Sequence, residues 1–405
     1  MTKSQRFVLA VVCAVAVSTI YAIQPVLASA GADLGFAPGA VGWLVAAGQI
    51  GYVVGLLLVA PLGDVLNRRR LIAAQLVATA LGTALVACAP GAVVAVVGLV
   101  VTGVFAVVVQ VTVAYVAGVS PPWERGRNIG AVTSGVVVGI LGGRAVAGVL
   151  GDALGWRAVF GLLAVLCLAL AGTVGAVMSP DGGRDTERYR RILAATGRLV
   201  RTDPLFRSRG LIAFFLFASF GTLWSGLALV LGAEPWNFGA AEIGVFGLAG
   251  LAGALGASRA GRLADAGRAQ AVTGWSLALL VVSWLFIGRA ESSLLLLFVG
   301  IIALDFAVQA VHVSSQQLLT ARDPQRAAGV IGAYMACYSL GSALGAITTA
   351  WAYSAGGWAA SSGVGAVFSV AAIVVWVTWR FGDPAHGDGV EAAVGSPCCA
   401  VGGSD

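Results

Sequence analysis

The sequence predicts an all-α integral membrane protein, with twelve transmembrane helices in two six-helix halves. Three observations carry this prediction. First, 59% of the residues are hydrophobic and 10% are charged, against about 25% charged in a soluble domain, and mean hydropathy is +0.93. A chain this apolar cannot be covered with water-facing surface and needs the bilayer as its solvent. Second, apolar runs of membrane-crossing length recur along the whole chain. Third, one short acidic-and-basic turn occurs twice, about half a chain apart. It reads Leu62-Gly63-Asp64-Val65-Leu66-Asn67-Arg68-Arg69-Arg70 and then Gly261-Arg262-Leu263-Ala264-Asp265-Ala266-Gly267-Arg268. A turn repeated once per half between apolar spans implies two homologous membrane halves.

The first apolar run, near 7–28, follows Lys3 and Arg6. It is too long for the apolar region of a cleaved signal peptide, so it is read as the first span. The next five runs lie near 41–62, 71–89, 92–117, 129–151 and 157–178, completing a first half over 1–178. Residues 179–209 form a basic linker, Asp181-Gly182-Gly183-Arg184 leading into Tyr189-Arg190-Arg191, expected to hold a short amphipathic helix on the inner leaflet. Six further runs, near 210–232, 240–260, 270–288, 292–319, 327–352 and 358–380, make a second half over 210–380. Residues 381–405 are Gly-rich and polar, and read as a disordered cytoplasmic tail. Small residues spaced as Gly135-xxx-Gly139-xxx-Gly143 and Gly341-xxx-Gly345 let membrane helices approach closely.

The net charge of +6 is topological and does not indicate nucleic-acid binding. With the N-terminus inside, nearly all of the 24 lysines and arginines fall in cytoplasmic segments; Arg157 and Arg289 fall outside and Arg144 within a span. That asymmetry places a multi-pass protein in the cell membrane with both termini cytoplasmic. Cys13, Cys88, Cys167 and Cys337 lie in spans as small apolar residues, and Cys398-Cys399 lacks a prenylation box. No cysteine has metal-ligand spacing, and neither a metal nor a cofactor is expected.

The chemistry concentrates in buried polar groups. In the tenth span Asp305, Gln309, His312 and Gln316 are spaced 4, 3 and 4, so they share one helix face. An acid near the bilayer centre costs at least a few kcal/mol unless it faces a wet cavity or is protonated. This face reads as a proton or substrate site; a helix-packing hydrogen-bond ladder is the competing reading. Arg144 is the other ionic group well inside a span. Its permanent charge needs a partner, with Asp305 the obvious anion and backbone carbonyls the alternative. Tyr21, Gln24, Gln49, Tyr52, Gln110, Trp224 and Tyr338 are further candidates to line a cavity, although isolated Tyr, Gln and Trp in spans are more often interface anchors or packing groups.

On these motifs the whole chain resembles the major facilitator superfamily. Asp64, Arg68 and Arg69 match that family's G-x-L-x-D-R-x-G-R-R motif between helices two and three, with Ala60, Val65 and Asn67 as departures. Gly261, Leu263, Asp265 and Arg268 match in a second copy one residue shorter. The resemblance implies an inner gate in which the aspartate faces a neighbouring helix N-terminus; a solvated turn is the competing reading. Gly130, Gly139, Gly143 and Gly148 fall in register with the antiporter signature of helix five, where Arg144 replaces the proline and Ala147 a glycine. Smaller features, Tyr21-Ala22-Ile23-Gln24-Pro25 and Gly155-Trp156-Arg157 among them, are similar to a bacterial drug:proton antiporter subgroup.

No enzyme constellation and no phosphate loop is visible, so an ion gradient is the expected energy source. The expected function is secondary active transport: proton-coupled efflux of a small molecule by alternating access, by a monomer whose partners are substrate, protons and lipid. An importer or uniporter of a sugar or amino acid on the same fold is the nearest alternative. A non-transporting membrane sensor is the alternative from another class.

Overall fold

The computed structural model describes residues 1–121, 123–178, 187–263, 269–322 and 327–382. The first half comprises α1 (Lys3–Tyr21), α2 (Pro38–Asp64), α3 (Arg68–Ala87), α4 (Ala92–Val119), α5 (Arg125–Leu154) and α6 (Trp156–Val177). A linker helix, Glu187–Thr202, follows. The second half comprises α7 (Pro204–Leu231), α8 (Ala240–Leu263), α9 (Ala269–Ile287) and α10 (Leu294–Arg322), then a helical stretch over Ala327–Gly382. That stretch breaks at Gly356–Gly357, which gives α11 (327–355) and α12 (358–382). Among the described residues ten helical stretches are long and apolar enough to cross a membrane, the last holding both α11 and α12; with α8 they are consistent with the twelve-helix fold that the sequence predicts.

Two boundaries differ from the sequence reading. The first span ends at Tyr21, and a separate short helix, Leu27–Asp33, follows. Pro25 lies between them; it has no N–H to donate and disfavours helical geometry in the residue before it. The seventh helix begins at Pro204 rather than near 210. Asp203 accepts a hydrogen bond from the Phe206 amide at 3.1 Å, and the proline occupies the first turn, where its missing N–H is harmless. Arg207 and Arg209, assigned to the linker by charge, therefore lie in α7.

Each half packs its own helices together, and the halves meet along two seams. In one, α2 lies against α11; in the other, α5 lies against α8. The α5–α8 seam is close because Gly148 carries no side chain: a Cβ there would lie 2.2 Å from the Ala240 carbonyl oxygen. Asp152, near the end of α5, reinforces this seam by accepting from the amides of Ala240 at 2.8 Å and Ala241 at 2.7 Å. An anion is favoured there by the exposed amides and dipole of the α8 N-terminus. The linker helix, whose Tyr189 hydroxyl donates to the Leu58 carbonyl at 2.8 Å, and the short helix Leu27–Asp33, which touches α7, add smaller contacts to these two seams.

Candidate functional site

The two seams enclose a polar centre. Arg144 projects from α5 and is 2% exposed. Its Nε donates to Gln24 Oε1 at 2.8 Å, so the loop after α1 fixes its orientation. Its guanidinium carbon lies 4.0 Å from the Trp224 ring centroid, with Tyr21 at 5.0 Å and Phe220 at 5.6 Å. Cation–π contacts of this kind offset part of the desolvation of a buried guanidinium. Nη1 and Nη2 have no hydrogen-bond partner, and neither has the Gln24 Nε2.

Asp305 projects from the middle of α10 and is 4% exposed. It reaches the centre across the bare face of α8. A Cβ at Gly250 would lie 2.8 Å from Asp305 Oδ2 and 2.9 Å from Trp224 Cζ2. Any larger residue at Gly250 would expel the carboxylate or the indole. Asp305 Oδ2 makes no hydrogen bond. Among the described residues, the ion pairs are Arg68–Asp64, Arg127–Glu124 and Arg157–Asp33; Arg144 and Asp305 are not joined. The sequence reading offered Asp305 or backbone carbonyls as partners for Arg144. The structure gives it a glutamine and an aromatic wall, with Trp224 touching both the guanidinium and the space the carboxylate occupies.

The four-residue face of the tenth span divides. His312 sits in an aromatic box, its ring centroid 5.5 Å from Phe217, 5.4 Å from Tyr334 and 5.8 Å from Tyr338. It shares a 2.9 Å hydrogen bond with Gln316 Nε2. Gln309 is half-buried and bonds to neither group. Nearby, the Tyr52 hydroxyl donates to Gln110 Oε1 at 3.3 Å, and Gln110 Nε2 donates to Met335 Sδ at 3.0 Å, linking α2, α4 and α11. Tyr338 stacks on Phe217 at 4.4 Å. Gln49 is buried on α2. The predicted cavity candidates thus gather between the halves in two neighbouring groups, one around Trp224 and one around His312.

The repeated turn is only partly visible. Asp64 pairs with Arg68 at 3.2 Å. Arg68 also donates from Nε to the Gly63 carbonyl at 2.8 Å and from Nη1 to the Ala114 carbonyl at 3.1 Å, and Arg69 donates to the Gly175 carbonyl. These bonds tie α2, α3, α4 and α6 together within the first half. The start of α11, a helix end that such an aspartate could face, adjoins residues outside the described set. In the second copy Gly261 and Leu263 lie in the last turn of α8, while Asp265 and Arg268 lie outside the described residues. Of the helix-five glycines, Gly139 and Gly143 abut Ala14 and Ser18 of α1, Gly148 abuts α8, and Gly130 meets open space.

Two residues escaped the sequence reading. Asp152 is not singled out by the sequence, because nothing local marks it as the cap of a helix eighty-eight positions on. Arg209 is 0% exposed and donates to Gln270 Oε1 at 2.6 Å and Thr273 Oγ1 at 3.2 Å. The Asp203-Pro204 start signal places it inside a helix and was the available clue.

Comparison with known proteins agrees with this architecture. The Major Facilitator Superfamily profile matches residues 7–323 and 210–397. The uncharacterized transporter YgaY of Escherichia coli O157:H7 is 35% identical over 365 residues, covering 90% of this chain and 92% of its own length. The "Probable transporter SCO4007" of Streptomyces coelicolor is 35% identical over 374 residues, covering 91% and 85%. Among solved structures, a bacterial homologue of the human lysosomal transporter Spinster, inward-facing and unoccupied, superposes with a TM-score of 0.73. It shares 16% identity and covers 97% of this chain and 98% of its own. At that identity the likeness is one of fold.

Proposed function

The chain belongs to the major facilitator superfamily and is a membrane transporter, and on that premise we propose that it exports small organic molecules in exchange for protons by alternating access. The observation that carries the proposal is Asp305: a buried carboxylate on a membrane helix, at the meeting point of the halves, with one oxygen unpartnered. A carboxylate in that setting is stable in the membrane when protonated or when it faces a cation. Proton and substrate then compete for one group. Binding one expels the other, which is the minimum logic of antiport. The in-register glycines of α5 support the direction, and the basic segments support a cell-membrane protein, monomeric, with cytoplasmic termini.

Purified protein in proteoliposomes with an internal pH dye tests this. Addition of a transported compound from a screened panel should release a proton flux in the wild type. Asp305→Asn should exchange the same compound down its gradient while moving no protons. Proton flux at the wild-type rate in Asp305→Asn would remove Asp305 from the coupling step.

A further inference from the structure

We propose that the transported molecule is a zwitterion, with an oxyanion seated on Arg144, an ammonium facing Asp305, and an apolar body between them against Trp224. The inference rests on the transport reading above and specifies its substrate class.

The unpartnered polar atoms of the centre fall into two chemically opposite sets. On one side are donors: Nη1 and Nη2 of Arg144 and Nε2 of Gln24, adjoining because the Gln24 oxygen already holds the Arg144 Nε. A guanidinium oriented through its Nε presents its remaining fork to an oxyanion, ideally a planar carboxylate. On the other side is an acceptor, Asp305 Oδ2, and between the two lies one further unpartnered donor, the indole Nε1 of Trp224. Arg144 and Asp305 are both more than nine-tenths buried. Leaving such groups without partners costs several kcal/mol of desolvation, so each is configured for something that arrives.

Net charge selects the ligand. With Asp305 ionised, Arg144 and Asp305 together are neutral. A purely anionic ligand would leave one excess negative charge in the centre, and a purely cationic one an excess positive charge. A dipolar ligand satisfies both ends and leaves none. The Arg144 end is walled by aromatic rings, Trp224 and Phe220 on α7 and Tyr21 on α1, and Trp224 also reaches the Asp305 carboxylate across Gly250. An apolar or aromatic body fits that surface, and an ammonium near an indole face gains a cation–π contact. Zwitterion recognition also sharpens the antiport logic. The proton that neutralises Asp305 removes the partner of the ammonium while leaving the carboxylate anchor intact.

The test uses the purified full chain and 4-(aminomethyl)benzoate, whose charges lie across one ring, with straight ω-amino carboxylates of increasing length. Two analogues each lack one charge: 4-methylbenzoate and 4-methylbenzylamine. Affinity is read by thermal stabilisation and calorimetry without any gradient. At least one zwitterion should bind about tenfold or more tightly than either single-charge analogue, the return expected for one charge-assisted hydrogen bond. Arg144→Gln should reduce it to the level of the amine, and Asp305→Asn to the level of the carboxylate. Arg144→Lys, which keeps charge but not the fork, should fall between. If the Arg144 variants do not fold, Asp305→Asn with the same compounds decides. Equal binding of a zwitterion and a single-charge analogue, or no zwitterion-selective binding across the series, overturns the proposal. Because no gradient is involved, selective binding with intact coupling in Asp305→Asn would sink the proton assignment alone.

Discussion

Among the arginines buried in the described residues, Arg209 and Arg144 are buried differently. Arg209, near the start of α7, directs Nη2 to Gln270 and Nη1 to Thr273, with the Trp379 ring centroid 5.5 Å away. Thr273 is itself tied to Ser314 at 3.1 Å, and Gln270 also accepts from Trp376 Nε1 at 3.3 Å. That arginine joins α7, α9, α10 and α12 into one polar node. Arg144, in the middle of α5, has one hydrogen bond, three aromatic neighbours and two unpartnered nitrogens. Two groups of identical chemistry therefore differ in what their forks do: one fork fastens helices, and the other is presented. Arg209 leaves only its Nε without a partner, whereas Arg144 leaves both nitrogens of its fork, so burial alone does not mark function and a buried, open fork is the distinguishing feature.

The largest expected effect sharpens the structural side of this contrast. Gln270→Leu leaves the Arg209 charge and the Trp376 N–H without their shared acceptor. It should destabilise the protein by roughly 1.5–3 kcal/mol, read as a lowered unfolding midpoint of the purified protein. An unchanged midpoint would mean that the node is not holding the second half together.

Arg144→Met should act with the opposite sign on stability. Replacing a buried, incompletely paired charge by an apolar side chain of similar size is often stabilising, here by about 1–2 kcal/mol. The same variant should lose transport. Raised stability with lost activity is the signature of a group kept for function at the expense of the fold. If Arg144→Met unfolds the protein as Gln270→Leu does, the two arginines are alike and the contrast fails.

A smaller effect is expected at the α5–α8 seam. Asp152→Ala removes the acceptor of two amides at the α8 N-terminus. The carboxylate is exposed, so the loss should be roughly 0.5–1 kcal/mol, or about a two- to fivefold shift in the open population on that side. A cysteine introduced at Ala346, buried where α11 meets α2, reports it in a background without native cysteines. Labelling from the side of Asp152 should rise; labelling no faster than in the parent would show that the cap does not hold the seam.

What was legible in the sequence follows the same division between local and distant. Helix number comes from local apolarity and agrees with the fold; the repeated turn comes from spacing, and only its first copy lies wholly among the described residues. Asp305, Arg144 and the tyrosines and glutamines around them stand out because a polar group in an apolar span is conspicuous wherever it lies. Their grouping was not legible. Asp305, Gln309, His312 and Gln316 share a helix face, yet Asp305 turns to the bare surface at Gly250 while His312 enters a box built by α7 and α11. Arg209 was hidden by its neighbours, since Arg198, Arg201 and Arg207 make it look like one more linker charge. Asp152 depends on a partner helix, which one-dimensional spacing does not contain.

The smallest expected effect concerns an ion pair that is neither buried nor unpartnered. Asp33, at the end of the short helix after α1, accepts from Arg157 and from Trp156 Nε1 at 3.1 Å, while Arg157 Nη2 also donates to the Ala89 carbonyl at 3.0 Å. Arg157 first, and Trp156 second, hold the Asp33 carboxyl below the usual carboxylate range. A carboxyl whose pKa is depressed in the folded state contributes stability above its ordinary pKa of about 4, and that contribution is lost as pH falls through the folded value. Both side chains are partly exposed, at 42% for Arg157 and 48% for Asp33, so solvent and salt screen the pair. The unfolding midpoint of Asp33→Asn should therefore lie slightly below wild type at neutral pH. The gap should close as pH drops below the ordinary carboxylate range, and it should narrow in high salt. A gap that persists unchanged in acid would assign Asp33 a packing role independent of its charge, and would leave the Arg144 site and the Arg209 node as the places where charge matters.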